Sequence, residues 1–147
     1  MINWSLKKFE DLDVQELYAI LRLRSEVFVV EQNCVFQDMD NKDQSSYHLM
    51  GWENNALVAY TRIVPPGVAY EFCSIGRVIT SPAARGGGVG KLLMEKSIEE
   101  AQHLFGKVPI KIGAQLYLKE FYTLFGFKQS SDTYDEDGID HIEMIRQ

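Results

Sequence analysis

Arg85-Gly86-Gly87-Gly88-Val89-Gly90-Lys91 lies between a β-rich stretch and an apolar run at helical spacing. Glycine has no Cβ, so such a loop turns sharply and lets its backbone N–H groups approach a ligand. A helix that begins immediately afterwards adds unpaired N–H groups and the positive end of its dipole. Strand, glycine loop and helix N-terminus together form a cradle for phosphate. Two nucleotide arrangements fail on spacing. A P-loop ending at Gly90-Lys91 needs a glycine where Arg85 stands and a hydroxyl residue where Leu92 stands. A dinucleotide G-x-G-x-x-G begun at Gly86 or Gly88 puts its third glycine on Lys91 or Leu93. The pattern that fits is R-x-x-G-x-G, met by Arg85, Gly88 and Gly90.

Working outward, Trp4 to Phe9 alternates apolar and polar residues as a strand does. Asp13 with Glu16 reads as a capping box, and Leu17, Ile20, Leu21, Val27 and Phe28 extend a first helix to about residue 28. Tyr47–Trp52 and Leu57–Val64 flank Glu53-Asn54-Asn55 as a hairpin. Tyr70 to Thr80 is β-rich. The helix after the glycine loop is predicted over Val89–Phe105, ended by Gly106. Val108–Ala114 reads as a buried strand and Leu116–Phe125 as a short helix stopped by Gly126. Two last strands, Lys128–Tyr134 and His141–Ile145, are joined by Asp137-Gly138. The order β-α-β-β-β-α-β-α-β-β predicts one α/β domain over residues 1–147 with a mixed sheet.

The 147 residues are enough for one sizeable core, and 46% apolar with 24% charged is an ordinary globular balance. No apolar run reaches the roughly 20 residues of a membrane span, and the N-terminus lacks signal-peptide character. Cys34 and Cys73 are isolated, without disulfide or CxxC spacing, so a cytoplasmic protein is expected. The net charge of −6 argues against a nucleic-acid partner. His48, His103 and His141 are scattered, so no metal site is expected. Asp38, Asp40 and Asp43 fail as a calcium loop, because Asp43 and Leu49 stand where glycine and glutamate are needed. They read as a solvated loop or substrate rim, and Arg22, Arg24 and Glu26 as exposed helix charges.

The glycine loop, the preceding Ser74-Ile75-Gly76-Arg77-Val78-Ile79-Thr80 and the Phe121-Tyr122-Thr123-Leu124-Phe125-Gly126-Phe127 segment resemble the GNAT superfamily, the GCN5-related N-acetyltransferases. Val27–Gln32 and Tyr134–Ile142 resemble its ElaA-like subgroup more narrowly. The resemblance implies a mostly antiparallel sheet whose central strands splay, with flanking helices, and acetyl-CoA as cosubstrate. It implies that Val78, Ile79 and Thr80 pair with the pantetheine arm, and that Arg85 with the N–H groups of Gly86, Gly87, Gly88, Val89 and Gly90 holds the pyrophosphate. Tyr122 matches the tyrosine that protonates the departing thiolate. Where many relatives carry a cofactor-contacting asparagine, this chain has Gln115, which offers similar hydrogen bonds from a longer arm.

The general base has two main candidates. His141 follows the last turn and Glu71, acting through water, precedes the central strand. Glu31 and Cys73 are further ionisable groups near these elements. The expected acceptor is a primary amine of a small molecule or peptide, met by residues 24–40 and 130–141. Asp38, Asp40, Asp135, Glu136 and Asp137 in these stretches suit a cation. A GNAT-fold module that binds acyl-CoA without turnover is the other class the residues allow. A monomer or homodimer is expected.

Overall fold

The computed structural model describes residues 1–147. Its elements are β1 (Asn3–Lys8), α1 (Val14–Arg24), β2 (Tyr47–Glu53), β3 (Ala56–Val64), β4 (Ser74–Thr80), α2 (Val89–Phe105), β5 (Ile110–Gln115), α3 (Lys119–Thr123), β6 (Phe127–Gln129), β7 (Tyr134–Glu136) and β8 (Ile139–Arg146). The first four strands pair in chain order, each antiparallel to the next. The second sheet has the order β5-β8-β6, and β7 also pairs with β8. The sheets join at one parallel bridge between Cys73 and Ile110, where the Lys111 N–H donates to the Cys73 carbonyl at 3.0 Å. Beyond it β4 and β5 share no ladder and diverge. This is the expected α/β class, with flanking helices and splayed central strands.

Local chemistry explains most boundaries. The Asp13 carboxylate accepts from the Glu16 N–H at 2.7 Å and the Glu16 carboxylate from the Asp13 N–H at 2.9 Å, so the capping box starts α1. Asn54 and Asn55 both take positive φ (51° and 65°), the geometry that closes a two-residue hairpin. The first helix departs from expectation. After Arg24 it widens into a π-helical segment over Ser25–Glu31. There the Gln32 N–H reaches the Val27 carbonyl at 3.2 Å and the Cys34 N–H the Val29 carbonyl at 3.0 Å, each five residues back. The run Val27-Phe28-Val29-Val30 is poor α-helix material, since β-branched and aromatic side chains crowd the preceding turn. The predicted strand over Lys128–Tyr134 is in fact split into β6 and β7, and the β-rich stretch from Tyr70 becomes regular only at Ser74.

Alternation along β2 and β3 divides the core between two faces. Leu49, Ala59 and Ile63 pack with Leu93, Met94 and Ile98 of α2. Met50 and Tyr60 pack on the other face with Ile20 and Leu23 of α1 and Val27 of the π segment. This is the period-2 burial expected of a sheet covered on both sides.

The loop after the π segment corrects the sequence reading. Arg24 is fully buried, not an exposed helix charge, and Asp38 and Asp43 are buried too. Arg24 donates from Nε to Asp38 (2.7 Å) and from Nη1 to Asp43 (2.7 Å). Arg62 of β3 donates to Asp43 (2.9 Å) and through both Nη atoms to Asp40 (2.7 and 2.9 Å). Arg77 of β4 donates to Asp38 at 2.8 Å. Burial opposes ionisation of Asp40 and Asp43, but the guanidiniums outweigh it and hold both carboxyls below the usual range. These carboxylates therefore serve the interior and not a substrate rim.

The same network marks a bulge. Thr80 and Ile79 pair with Ala59 and Tyr60, and Gly76 with Arg62, so β4 carries one residue more than β3 across this stretch. Arg77 sits there at φ 49°, a left-handed backbone that a non-glycine residue adopts only when held. Its bonds to Asp38 and to the Asp38 carbonyl (2.7 Å) supply the hold.

Candidate active site

The divergence of β4 and β5 opens a cleft of about 500 Å³. Val78, Ile79, Thr80, Arg85, Gln115, Tyr122 and His141 of the expected residues line it, and the glycines do not. Gly86 to Gly90 lie beyond it, at the start of α2. Gly86 and Gly88 take φ of 98° and 79°, where a side chain is strained. No side chain caps α2 and no acidic residue lies in its first turn, so its N–H groups carry their positive end unopposed. A Cβ at Gly88 meets nothing within 4 Å, so Gly88→Ala should cost only the backbone term, about 1 kcal/mol, read from urea unfolding.

Residues 31–34 are tied across the cleft at three places. Both Glu31 oxygens accept from Arg85, each at 2.7 Å, and Arg85 Nη2 also reaches the Thr80 carbonyl at 3.3 Å. The Gln32 and Gln115 amides exchange hydrogen bonds at 3.3 and 3.2 Å. The Cys34 thiol donates to the Asp137 carbonyl at 3.2 Å. The bond from Arg85 holds the Glu31 carboxyl below its ordinary range.

Tyr122 of α3 is 7% exposed, set edge-on against Phe121 and Phe127 at 5.2 and 6.2 Å. Burial pushes its phenol well above the ordinary range, so it keeps its proton at neutral pH. His141 is also 7% exposed. Its Nδ1 faces the Ile139 carbonyl at 2.8 Å, its Nε2 faces Glu136 at 3.2 Å, and its ring stacks on Tyr134 at 5.9 Å. Glu71 is exposed ahead of β4 and is not among the lining residues. Cys73 is buried under the sheet junction, its Sγ 3.6 Å from the Pro109 carbonyl, and burial raises its thiol. It is a packing residue at the point where the sheets meet.

Gln32 and Tyr117 also line the cleft and were not singled out from sequence. Gln32 ends the Val27–Gln32 stretch that carries the subgroup resemblance, which assigned it no role, and Tyr117 lies in no motif; the π-helical turn and the splay bring them in.

The GNAT acetyltransferase domain family matches residues 9–147. The chain belongs to the GNAT acetyltransferase family. It is 46% identical to protein ElaA of Escherichia coli K12, over 100% of this chain and 97% of that one. It is 43% identical to a UPF0039 protein of Synechocystis, over 98% and 94%. The crystal structure of E. coli ElaA superimposes with a TM-score of 0.94 at 46% identity, covering 100% of both chains. That of an acyl-CoA N-acyltransferase from Pseudomonas aeruginosa gives 0.96 at 42% identity, again over 100% of both. The GNAT fold thus accounts for the splayed strands, and no helix here is long and apolar enough to cross a membrane.

Proposed function

We propose that this chain moves an acetyl group from acetyl-CoA directly to a primary amine of a small molecule or peptide. The observation that carries this reading is the buried Tyr122 phenol in the cleft between β4 and β5. A protein that only bound acyl-CoA would gain nothing from a protonated phenol there. Acetyl-CoA supplies the activated acetyl thioester. The edge of β4 that faces β5 carries no ladder past Cys73, so the backbone of Val78, Ile79 and Thr80 offers unpaired groups to the pantetheine arm as an added strand would. One of these N–H groups also suits the oxygen on which charge develops. Arg85 and the N–H groups of Gly86, Gly87, Gly88, Val89 and Gly90 hold the pyrophosphate, and the Gln115 amide borders the arm from β5. Tyr122 delivers a proton to the departing sulfur.

The base belongs to the His141 side of the cleft, because Glu71 lies outside it. The decisive experiment measures thiol release from acetyl-CoA across a panel of primary amines. Amine-dependent release supports transfer. Tight acetyl-CoA binding with no release for any amine marks a binding module instead.

Glu31 occupies the guanidinium that this reading assigns to pyrophosphate, so the coenzyme competes with an internal carboxylate. Glu31→Gln should tighten CoA about fivefold by calorimetry, from removal of one exposed ion pair and its repulsion. Acetyl-pantetheine, which lacks the pyrophosphate, should bind the variant and the native protein alike.

A further inference from the structure

Neither ring nitrogen of His141 is free. A carbonyl oxygen only accepts, so the 2.8 Å contact to Ile139 requires the proton on Nδ1. Nε2 faces Glu136 Oε2 at 3.2 Å. The ring is fixed by its stack on Tyr134 and by the pairing of β7 with β8, which sets Tyr134 opposite His141. Glu136 lines the cleft and its side chain is 58% exposed, against 9% for the ring. An incoming acceptor therefore meets the carboxylate before it can reach the imidazole.

We propose that Glu136 binds a primary ammonium acceptor and takes its proton, with His141 as the positioning residue behind it. The proposal rests on the acetyl-transfer reading above. In the form ready to act, the Nε2 lone pair faces a carboxylate oxygen, an arrangement relieved by one proton between them. The ammonium gives a proton to Glu136, and that proton comes to rest between Oε2 and Nε2. The freed nitrogen lone pair forms the bond to the thioester carbonyl carbon. The carbon–sulfur bond breaks and its electron pair leaves on sulfur. Tyr122 gives sulfur a proton and is restored by the second proton the nitrogen sheds on becoming an amide. Ammonium and thioester yield amide, thiol and one proton, which leaves from Glu136 to water.

The surroundings favour a cation. Asp137 follows Glu136 at the turn, and β5 contributes only the neutral Gln115 opposite His141. The Cys34 thiol is spent on the Asp137 carbonyl. Further along, Glu143 is paired with Lys111 at 3.1 Å, and the Tyr70 hydroxyl is pushed up to about 12 by burial and by Tyr134, Glu143 and Glu136. Tyr134 is likewise raised, first by burial and then by Glu136 and Glu143. The two cations that line the same cleft, Arg77 and Arg85, are each paired with a carboxylate of their own, Asp38 at 2.8 Å and Glu31 at 2.7 Å, so neither is a partner of Glu136.

The test uses acetyl-CoA with 2-phenylethylamine, putrescine and a lysine-containing peptide as acceptors. Glu136→Gln keeps the shape and cannot hold the proton. It should lower kcat/KM for the best amine about 100-fold. The Kd for acetyl-CoA should stay within about twofold, because Glu136 has no part in the pyrophosphate site. Full activity in Glu136→Gln with loss in His141→Asn would mean that the ring meets the amine, and would overturn the proposal. Nitrogen NMR of labelled histidine checks the pairing without any acceptor: at pH 7 the His141 Nε2 signal moves between native and Glu136→Gln protein while Nδ1 stays protonated. An unmoved Nε2 signal overturns the proposal. Absence of thiol release with every amine counts instead against the acetyl-transfer reading.

Discussion

If the proposed acetyl transfer holds, Tyr122→Phe should lower kcat between about 100- and 1,000-fold and leave the Kd for acetyl-CoA within about twofold. The substitution keeps the ring and its edge-on contacts with Phe121 and Phe127, so packing is preserved and only the proton donor is lost. Burial holds the phenol in its protonated form, the form the proposed donor to sulfur needs. A free thiol ionises near 8.5, below a buried phenol, so complete proton transfer is unfavourable by itself. It becomes favourable when the nitrogen loses its proton in the same step. The loss therefore falls on kcat and not on coenzyme binding. Steady-state kinetics with the best amine and calorimetry with acetyl-CoA separate the two, and unchanged turnover across pH removes Tyr122 from the chemistry.

Arg24→Met destabilises the fold by about 3–5 kcal/mol, because it strips a guanidinium from buried carboxylates. Arg24 is fully buried and is the only partner bridging Asp38 to Asp43. Asp43 then keeps Arg62 alone and Asp38 keeps Arg77 alone. A loss of this size is a large share of the roughly 5–15 kcal/mol typical of a domain. Urea unfolding measures it, and a change under about 1 kcal/mol would show that the network contributes little. Acid tests the same network from the carboxylate side. Asp40 and Asp43 are held below their ordinary range, so their contribution is complete above the unfolded carboxylate value near pH 4. It declines as pH falls below that value towards the folded ones. Native protein should lose stability progressively below about pH 4, and Arg24→Met should lose less, having less left to lose.

What was legible in the sequence was carried by groups that act on their own neighbours. Asp13 and Glu16 cap the helix three residues away, two asparagines close the hairpin between adjacent strands, and glycines bracket α2 at the predicted residues. The R-x-x-G-x-G loop, the strand before it and the tyrosine–glycine ending are local motifs too, and they point to the family without any tertiary geometry. Arg24 was misread because a charged residue in a helix is exposed unless distant partners meet it. Those partners, Asp38 and Asp43, are 14 and 19 residues further along. The Arg85–Glu31 pair spans 54 residues and the Gln32–Gln115 pair 83, beyond the reach of periodicity or capping rules.

The sequence by itself therefore determined the starts of α1 and α2, the hairpin turns and the family, since each depends on contacts within a few residues. The tertiary structure alone decided which ionisable groups are spent on the interior and which line the cleft. Asp38, Asp40 and Asp43 went to buried guanidiniums, while Glu136 stayed in the cleft against His141. The same side-chain chemistry serves packing or function according to what lies opposite it, and only the folded sheet and its π-helical wall set those neighbours.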